Sequence, residues 1–193
     1  AVNIPVCVSM HATKLPAAGE GGFILTKDSD LATKLRALAS FGFVKGQRIA
    51  SYLGTNAKMS EVHAAIGLAS LNRIKDIEEV AFLVARSLVE ATRHPELSWP
   101  LGYGENHISG SACIQVHCDK PGFQKHLKDR GIETRSWWEG GCHRHLAFRD
   151  APREDLPVTD KLANQHLGLP FYLDMDTIDI ERIKDAVHSW HPF

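Results

Sequence analysis

The sequence predicts an α/β fold, and three observations carry that expectation. A β-rich run, Val2 to Val8, is followed across a glycine-dense turn by a second apolar run, Phe23-Ile24-Leu25. A long segment with an apolar stripe begins near Ser60. From about Ser109 onward, strand-like and helix-like patterns alternate. There is no internal repeat and no low-complexity tract.

The elements follow in order. After the first hairpin, Asp28 or Ser29 can cap a helix with Leu31, Leu35 and Leu38 on one face, ending near Gly42. Phe43 to Gly54 lacks a clean period and reads as a loop. Ser60 is a good N-cap and Glu61 suits a first turn. Met59, Val62, Ile66 and Leu71 mark a buried stripe, and the helix can continue through Ile77 and Val84 towards Leu88. Residues 90 to 108, rich in proline, glycine and polar residues, are the best linker candidate. Ser111 to Cys118 reads as a strand, Gly122 to Arg130 as a short helix and Ile132 to Trp137 as another strand. Asp119 and Pro121 suit that helix's start and Gly131 its C′ position. A further helix follows Thr159. The last one, capped by Asp176 or Thr177, carries Ile180, Ile183, Val187 and Trp190 on one face.

The 193 residues allow one large or two small domains, and 44% hydrophobic residues can bury a real core. A net charge of -1 argues against a broad nucleic-acid or anionic-membrane surface. No segment is apolar for long enough to span a bilayer, and Ala1 to Lys14 does not read as a signal peptide. Cys7, Cys113, Cys118 and Cys142 are scattered unlike a disulfide framework, and free thiols suit a reducing cytosol, so a cytoplasmic protein is expected. Cys113, His117 and Cys118 cluster, as do Cys142, His143 and His145, yet neither spacing matches a structural zinc site, and no metal is expected.

The stretch richest in chemistry is Ser9-Met10-His11-Ala12-Thr13-Lys14, followed by Gly19-Glu20-Gly21-Gly22. It delivers a serine, a histidine and a lysine into one loop. A lysine amine, once deprotonated, can form a Schiff base with an aldehyde, and burial favours the neutral form. An ordinary surface lysine in a hairpin loop is the alternative, because short motifs match by accident. Adjacent Trp137 and Trp138 point to opposite faces if extended, so one can pack inside while the other stays accessible.

Taken with Gly54-Thr55-Asn56-Ala57-Lys58-Met59-Ser60-Glu61, Gly131-Ile132-Glu133-Thr134-Arg135 and Leu169-Pro170, that loop resembles the DegT/DnrJ/EryC1/StrS sugar aminotransferases, from about Ser9 to the last helix. The Thr134 to His143 region is most similar to enzymes acting on nucleotide-linked 4-keto-6-deoxyhexoses. The resemblance implies the C-terminal part of a fold type I pyridoxal-phosphate transferase. Residues 1–58 would be a remnant of the large domain with the lysine loop. Residues 59–90 would form a long connecting helix, and 91–193 a small α/β domain. Relatives carry a long N-terminal segment with a stacking group and an aspartate for the pyridine ring. The sequence therefore reads as the C-terminal half of an enzyme, expected to be a poor catalyst alone, because the pyridinium is a strong electron sink only with that aspartate.

The same resemblance assigns roles. Lys14 holds pyridoxal 5′-phosphate and carries the proton. Ser9 donates to its phosphate, although a strand-end serine bonded to nearby backbone is also common. Asn56 reaches the phosphate of the other subunit's cofactor, implying a homodimer with a shared active site; without the resemblance it would be a turn asparagine. His143 matches a position near the sugar. From the residues themselves, Trp138 could stack on a sugar or base, the alternative being a core aromatic beside a rim aromatic. Arg135 could pair with a pyrophosphate or a carboxylate, the alternative being an exposed salt bridge. No role is assigned to His11. The expected partners are a nucleotide-sugar and an amino-acid donor, with glutamate giving 2-oxoglutarate; no nucleic acid or membrane is expected. Two alternatives stay open: a non-catalytic module that dimerises or binds a sugar nucleotide, and a sugar 3-dehydratase. Relatives of the second kind have histidine where Lys14 stands.

Overall fold

The computed structural model describes residues 4–44 and 46–192. Contacts divide the chain into two compact units, before and after the Ile77–Glu78 bond. Of the run expected to form the first strand, Val2 and Asn3 lie outside the described residues.

In the first unit, β1 (Val6–Ser9) and β2 (Gly22–Leu25) pair antiparallel, with Val6 opposite Leu25 and Ser9 opposite Gly22. Backbone bonds extend the hairpin: Met10 N–H donates to Gly21 O at 2.9 Å, and Ala12 N–H to Gly19 O at 2.7 Å. Met10 and Ala18 are the buried apolar residues of this loop. A Cβ at Gly67 would stand 3.3 Å from Ala18 Cβ and 3.4 Å from Met10 Cε, so a glycine lets the helix that carries it lie close on the loop. That helix is α2 (Glu61–Asn72), and it follows α1 (Ser29–Leu38). Asp28 caps α1 by accepting from the Asp30 and Leu31 N–H groups, both at 2.9 Å. Between the helices the chain forms the loop read from the sequence, Lys45 lying outside the described residues.

A single helix over 59–90 is not what forms. α2 ends at Asn72, Arg73 leaves helical geometry, and α3 runs from Ile74 to Ala91. Asparagine competes with the backbone for its own hydrogen bonds and favours helix ends, whereas the apolar pattern runs on through the break. The stripe expected on α2 is also wrong in phase. Val62, Ile66 and Leu71 are exposed, and Gly67 is the buried position. α2 is apolar on every side, so periodicity cannot choose its face.

In the second unit, β3 (Leu97–Ser98), β4 (Ala112–Val116) and β5 (His166–Leu169) form an antiparallel sheet in that order. α3, α4 (Lys120–Asp129) and α6 (Thr177–His188) bury Val84, Leu88, Phe123, Leu127, Ile183 and Val187 in one core with Ile114 and Leu167 of the sheet. Asp119 caps α4, Asp176 and Asp179 form a capping box on α6, and Gly131 takes a φ of +71° after α4. α5 (Pro157–Gln165) precedes β5.

Two expectations fail here. Residues 90–108 are no linker. Thr92 is buried and donates to Leu88 O at 2.7 Å, Trp99 Nε1 donates to Thr92 Oγ1 at 2.9 Å, and Tyr103 stacks on Trp99 at 4.7 Å. Aromatic and hydroxyl side chains thus make an apolar-poor segment part of the core. Ile132 to Trp137 is not a strand. Among the described residues its backbone pairs with β5 only at Arg135, which exchanges bonds of 3.0 and 2.7 Å with Gly168. The Trp137 ring sits so close to Gly168 that a Cβ there would meet its Nε1 at 3.0 Å, and the chain turns away.

Candidate active site

The lysine loop is a closed turn. Lys14 N–H donates to His11 O at 2.8 Å, and the side chain of Lys14 is exposed, not buried as its proposed chemistry would favour. Ser9 Oγ accepts the His11 N–H at 3.4 Å, which leaves the hydroxyl hydrogen free to donate elsewhere. His11 ties the loop together. Its Nδ1 accepts from Thr13 N–H at 3.2 Å, and its Nε2 stands 3.6 Å from Glu20 Oε1 across the hairpin. Ser9 and Lys14 therefore sit at the two ends of one hydrogen-bonded turn.

Asn56 lies on the loop after α1, where it bridges Ser40 in the backbone. Lys58 Nζ donates to Asn56 Oδ1 and stands 4.5 Å above the Phe41 ring. With its oxygen engaged, Asn56 Nδ2 makes no hydrogen bond among the described residues. By donor type these residues suit pyridoxal phosphate, a primary amine for the aldehyde and a hydroxyl or amide N–H for the phosphate, although no hydrogen bond among the described residues joins the Ser9–Lys14 turn to Asn56.

In the second unit, residues 135–145 form one connection that ends in a short 3-10 turn, Cys142–Arg144. Trp137 and Trp138 are both substantially exposed, 41% and 56%, and meet edge-on at 4.8 Å. The expectation that one would be inside fails because the segment is not extended. Arg135 is exposed and faces Glu133 at 3.6 Å. His143 is mostly enclosed. Its Nε2 lies 2.9 Å from Asp160 Oδ1, which also accepts from Arg144 Nε at 2.8 Å. These two bonds, that from Arg144 being the stronger, hold the Asp160 carboxyl below the usual carboxylate range. Beside it is an open groove of about 360 Å³, where Arg144, Arg149 and Arg153 face Glu154, Asp155 and Asp160, so the charges balance. Sequence reading missed Asp160. It lies 17 positions beyond His143 on another element, with no local spacing to link them.

The model of the DegT/DnrJ/EryC1/StrS aminotransferase family matches residues 4–188. The chain belongs to that family. A curated relative, dTDP-3-amino-3,6-dideoxy-alpha-D-galactopyranose transaminase of Aneurinibacillus thermoaerophilus, is 25% identical, over 88% of this chain and 47% of its own. The crystal structure of DesI with its TDP-sugar product superposes with a TM-score of 0.82 at 31% identity, covering 95% of this chain and 48% of that one. S. venezuelae DesV, at 24% identity, shares the fold with a TM-score of 0.87, over 98% of this chain and 52% of its own. The fold is thus mixed α/β, matching solved aminotransferase structures, among them a putative PLP-dependent aminotransferase of Bacillus cereus at 27% identity and a TM-score of 0.86, over 96% of this chain and 51% of that one. The chain spans about half the length of the curated relatives it matches, 45% and 47% for two of them. No helix among the described residues is long and apolar enough to cross a membrane.

Proposed function

We propose that this chain is part of a pyridoxal-phosphate aminotransferase that moves an amino group, from glutamate, to a keto group of a nucleotide-linked deoxysugar. The observation that carries the reading is the lysine turn, with the free Ser9 hydroxyl at one end and the Lys14 amine at the other, in a member of an aminotransferase family. The transaminase among its relatives acts on a dTDP-linked dideoxysugar, which supports the substrate class.

When bound, pyridoxal phosphate supplies the aldehyde and the electron sink of the reaction. Lys14 would hold that aldehyde. Once the donor's amine has displaced it, its neutral Nζ would remove a proton from the α-carbon of the amino acid and, in the second half of the cycle, deliver one to the sugar carbon that gains the amine. The Ser9 hydroxyl and, across a twofold interface, the Asn56 amide of the other subunit anchor the phosphate. Arg135 offers a planar fork to a pyrophosphate or to the donor's carboxylate. Trp138, exposed, stacks on a sugar or base, and His143 faces the sugar. The lysine at position 14 favours amino transfer over 3-dehydration.

The test is amino-sugar formation from glutamate and a dTDP-linked 4-keto-6-deoxyhexose, followed by mass spectrometry, with the protein containing this chain. Product with the parent protein and none with Lys14→Arg is expected. Turnover that survives Lys14→Arg would overturn the assignment.

A further inference from the structure

We propose that Asp160 is a positioning residue that fixes His143 as its Nε2–H tautomer and leaves Nδ1 as an open acceptor for a ligand hydroxyl. The inference deepens the reading of His143 as a sugar-side residue and rests on it.

The chemistry follows from one oxygen. A carboxylate only accepts, and its low pKa keeps Asp160 ionised, so the contact at 2.9 Å obliges His143 Nε2 to carry the proton. In neutral imidazole Nδ1 is then a lone pair. Arg144 donates to the same Oδ1 from the next residue, so the carboxylate pins two successive side chains of the short 3-10 turn Cys142–Arg144. Asp160 itself is held in the first turn of α5 by its N–H to Leu156 O at 2.9 Å.

The other edge of the ring is kept clear. Gly141 has a φ of +86°, and a Cβ there would stand 2.8 Å from Nδ1 and 2.7 Å from Cε1. Among the described residues, no protein group bonds to Nδ1, and Nδ1 is not among the buried side-chain atoms left without a partner. It therefore keeps access to solvent. An enclosed ring with one nitrogen clamped and the other open suits a ligand O–H donor, as a sugar hydroxyl is.

The test is the nitrogen spectrum of His143 in the ¹⁵N-labelled chain at mildly alkaline pH, for wild type, Asp160→Ala and Asp160→Asn, with melting temperatures alongside. Alanine suits a helix and removes the acceptor, whereas asparagine removes the charge and retains an acceptor oxygen. Wild type should show protonated Nε2 and bare Nδ1. Asp160→Ala should shift His143 to a tautomer mixture while melting within a few degrees of wild type, and Asp160→Asn should restore Nε2–H. A His143 spectrum unchanged in Asp160→Ala, or a protonated Nδ1 in wild type, would overturn the positioning role. In the second arm, millimolar dTDP-glucose should move the Nδ1 resonance of wild type; an unmoved Nδ1 would overturn the ligand assignment. Neither arm needs the cofactor, so failure here is distinct from failure of Lys14 as the reactive amine.

Discussion

Phe123 offers the sharpest check of the core beneath residues 132–145. Its side chain is fully buried, its ring centroid lies 4.5 Å from that of Trp190, and Ile132, which begins the segment bearing Arg135, belongs to the same core. Truncation to alanine removes a whole aromatic ring from a site walled by α4, α6 and the sheet, where relaxation is limited. Such deletions cost ~3–5 kcal/mol. A domain of this size has ~5–15 kcal/mol in total, so the change consumes a large share. At ~4 °C per kcal/mol, the second unit should melt ~12–20 °C lower. Urea unfolding followed by tryptophan fluorescence reads the effect, since Trp190 reports from the contact itself. Phe123→Leu should cost a fraction as much. A loss under ~1 kcal/mol for Phe123→Ala would refute the packing described.

Two further outcomes follow from polar groups in the second unit. The Tyr103 hydroxyl is buried without a partner among the described residues, and burial pushes its pKa up to about 12. Tyr103→Phe should therefore leave urea stability unchanged or raise it by ~1 kcal/mol, because an unsatisfied buried hydroxyl is itself a cost. Burial, and then the charge of Lys120, lower the His166 pKa below its ordinary 6.5. The unfolded chain then binds this proton first, so the stability it contributes is complete above pH 6.5 and is lost as pH falls through the window down to the folded value. Replacing His166 with glutamine should flatten stability against pH just below 6.5, measured by urea titration at each pH.

Elements with local punctuation were legible in the sequence. Asp28, Asp119 and Asp176 cap the helices they were expected to cap, and Gly131 ends α4 at a positive φ. What failed lacked such marks. The break at Arg73 carries no glycine or proline, and α2, apolar all round, has no face to read. Residues 90–108 look like a linker until Trp99 and Tyr103 are seen stacked. For the candidate site, Ser9 and Lys14 could be proposed together from the sequence because they are close in it and share one turn. Asp160 was not, because only the packing of α5 brings it to His143. His11 shows its structural part, clasping Thr13 and facing Glu20, only once the hairpin is closed.

The claim at the centre of this account is that Lys14 is the amine that holds pyridoxal phosphate. The direct measurement is to incubate the chain with pyridoxal phosphate, reduce with borohydride, and map the modified peptides by mass spectrometry. The account predicts selective modification of Lys14, lost in Lys14→Ala and weakened in Ser9→Ala. Modification scattered over the exposed lysines, with no preference for position 14, would contradict it.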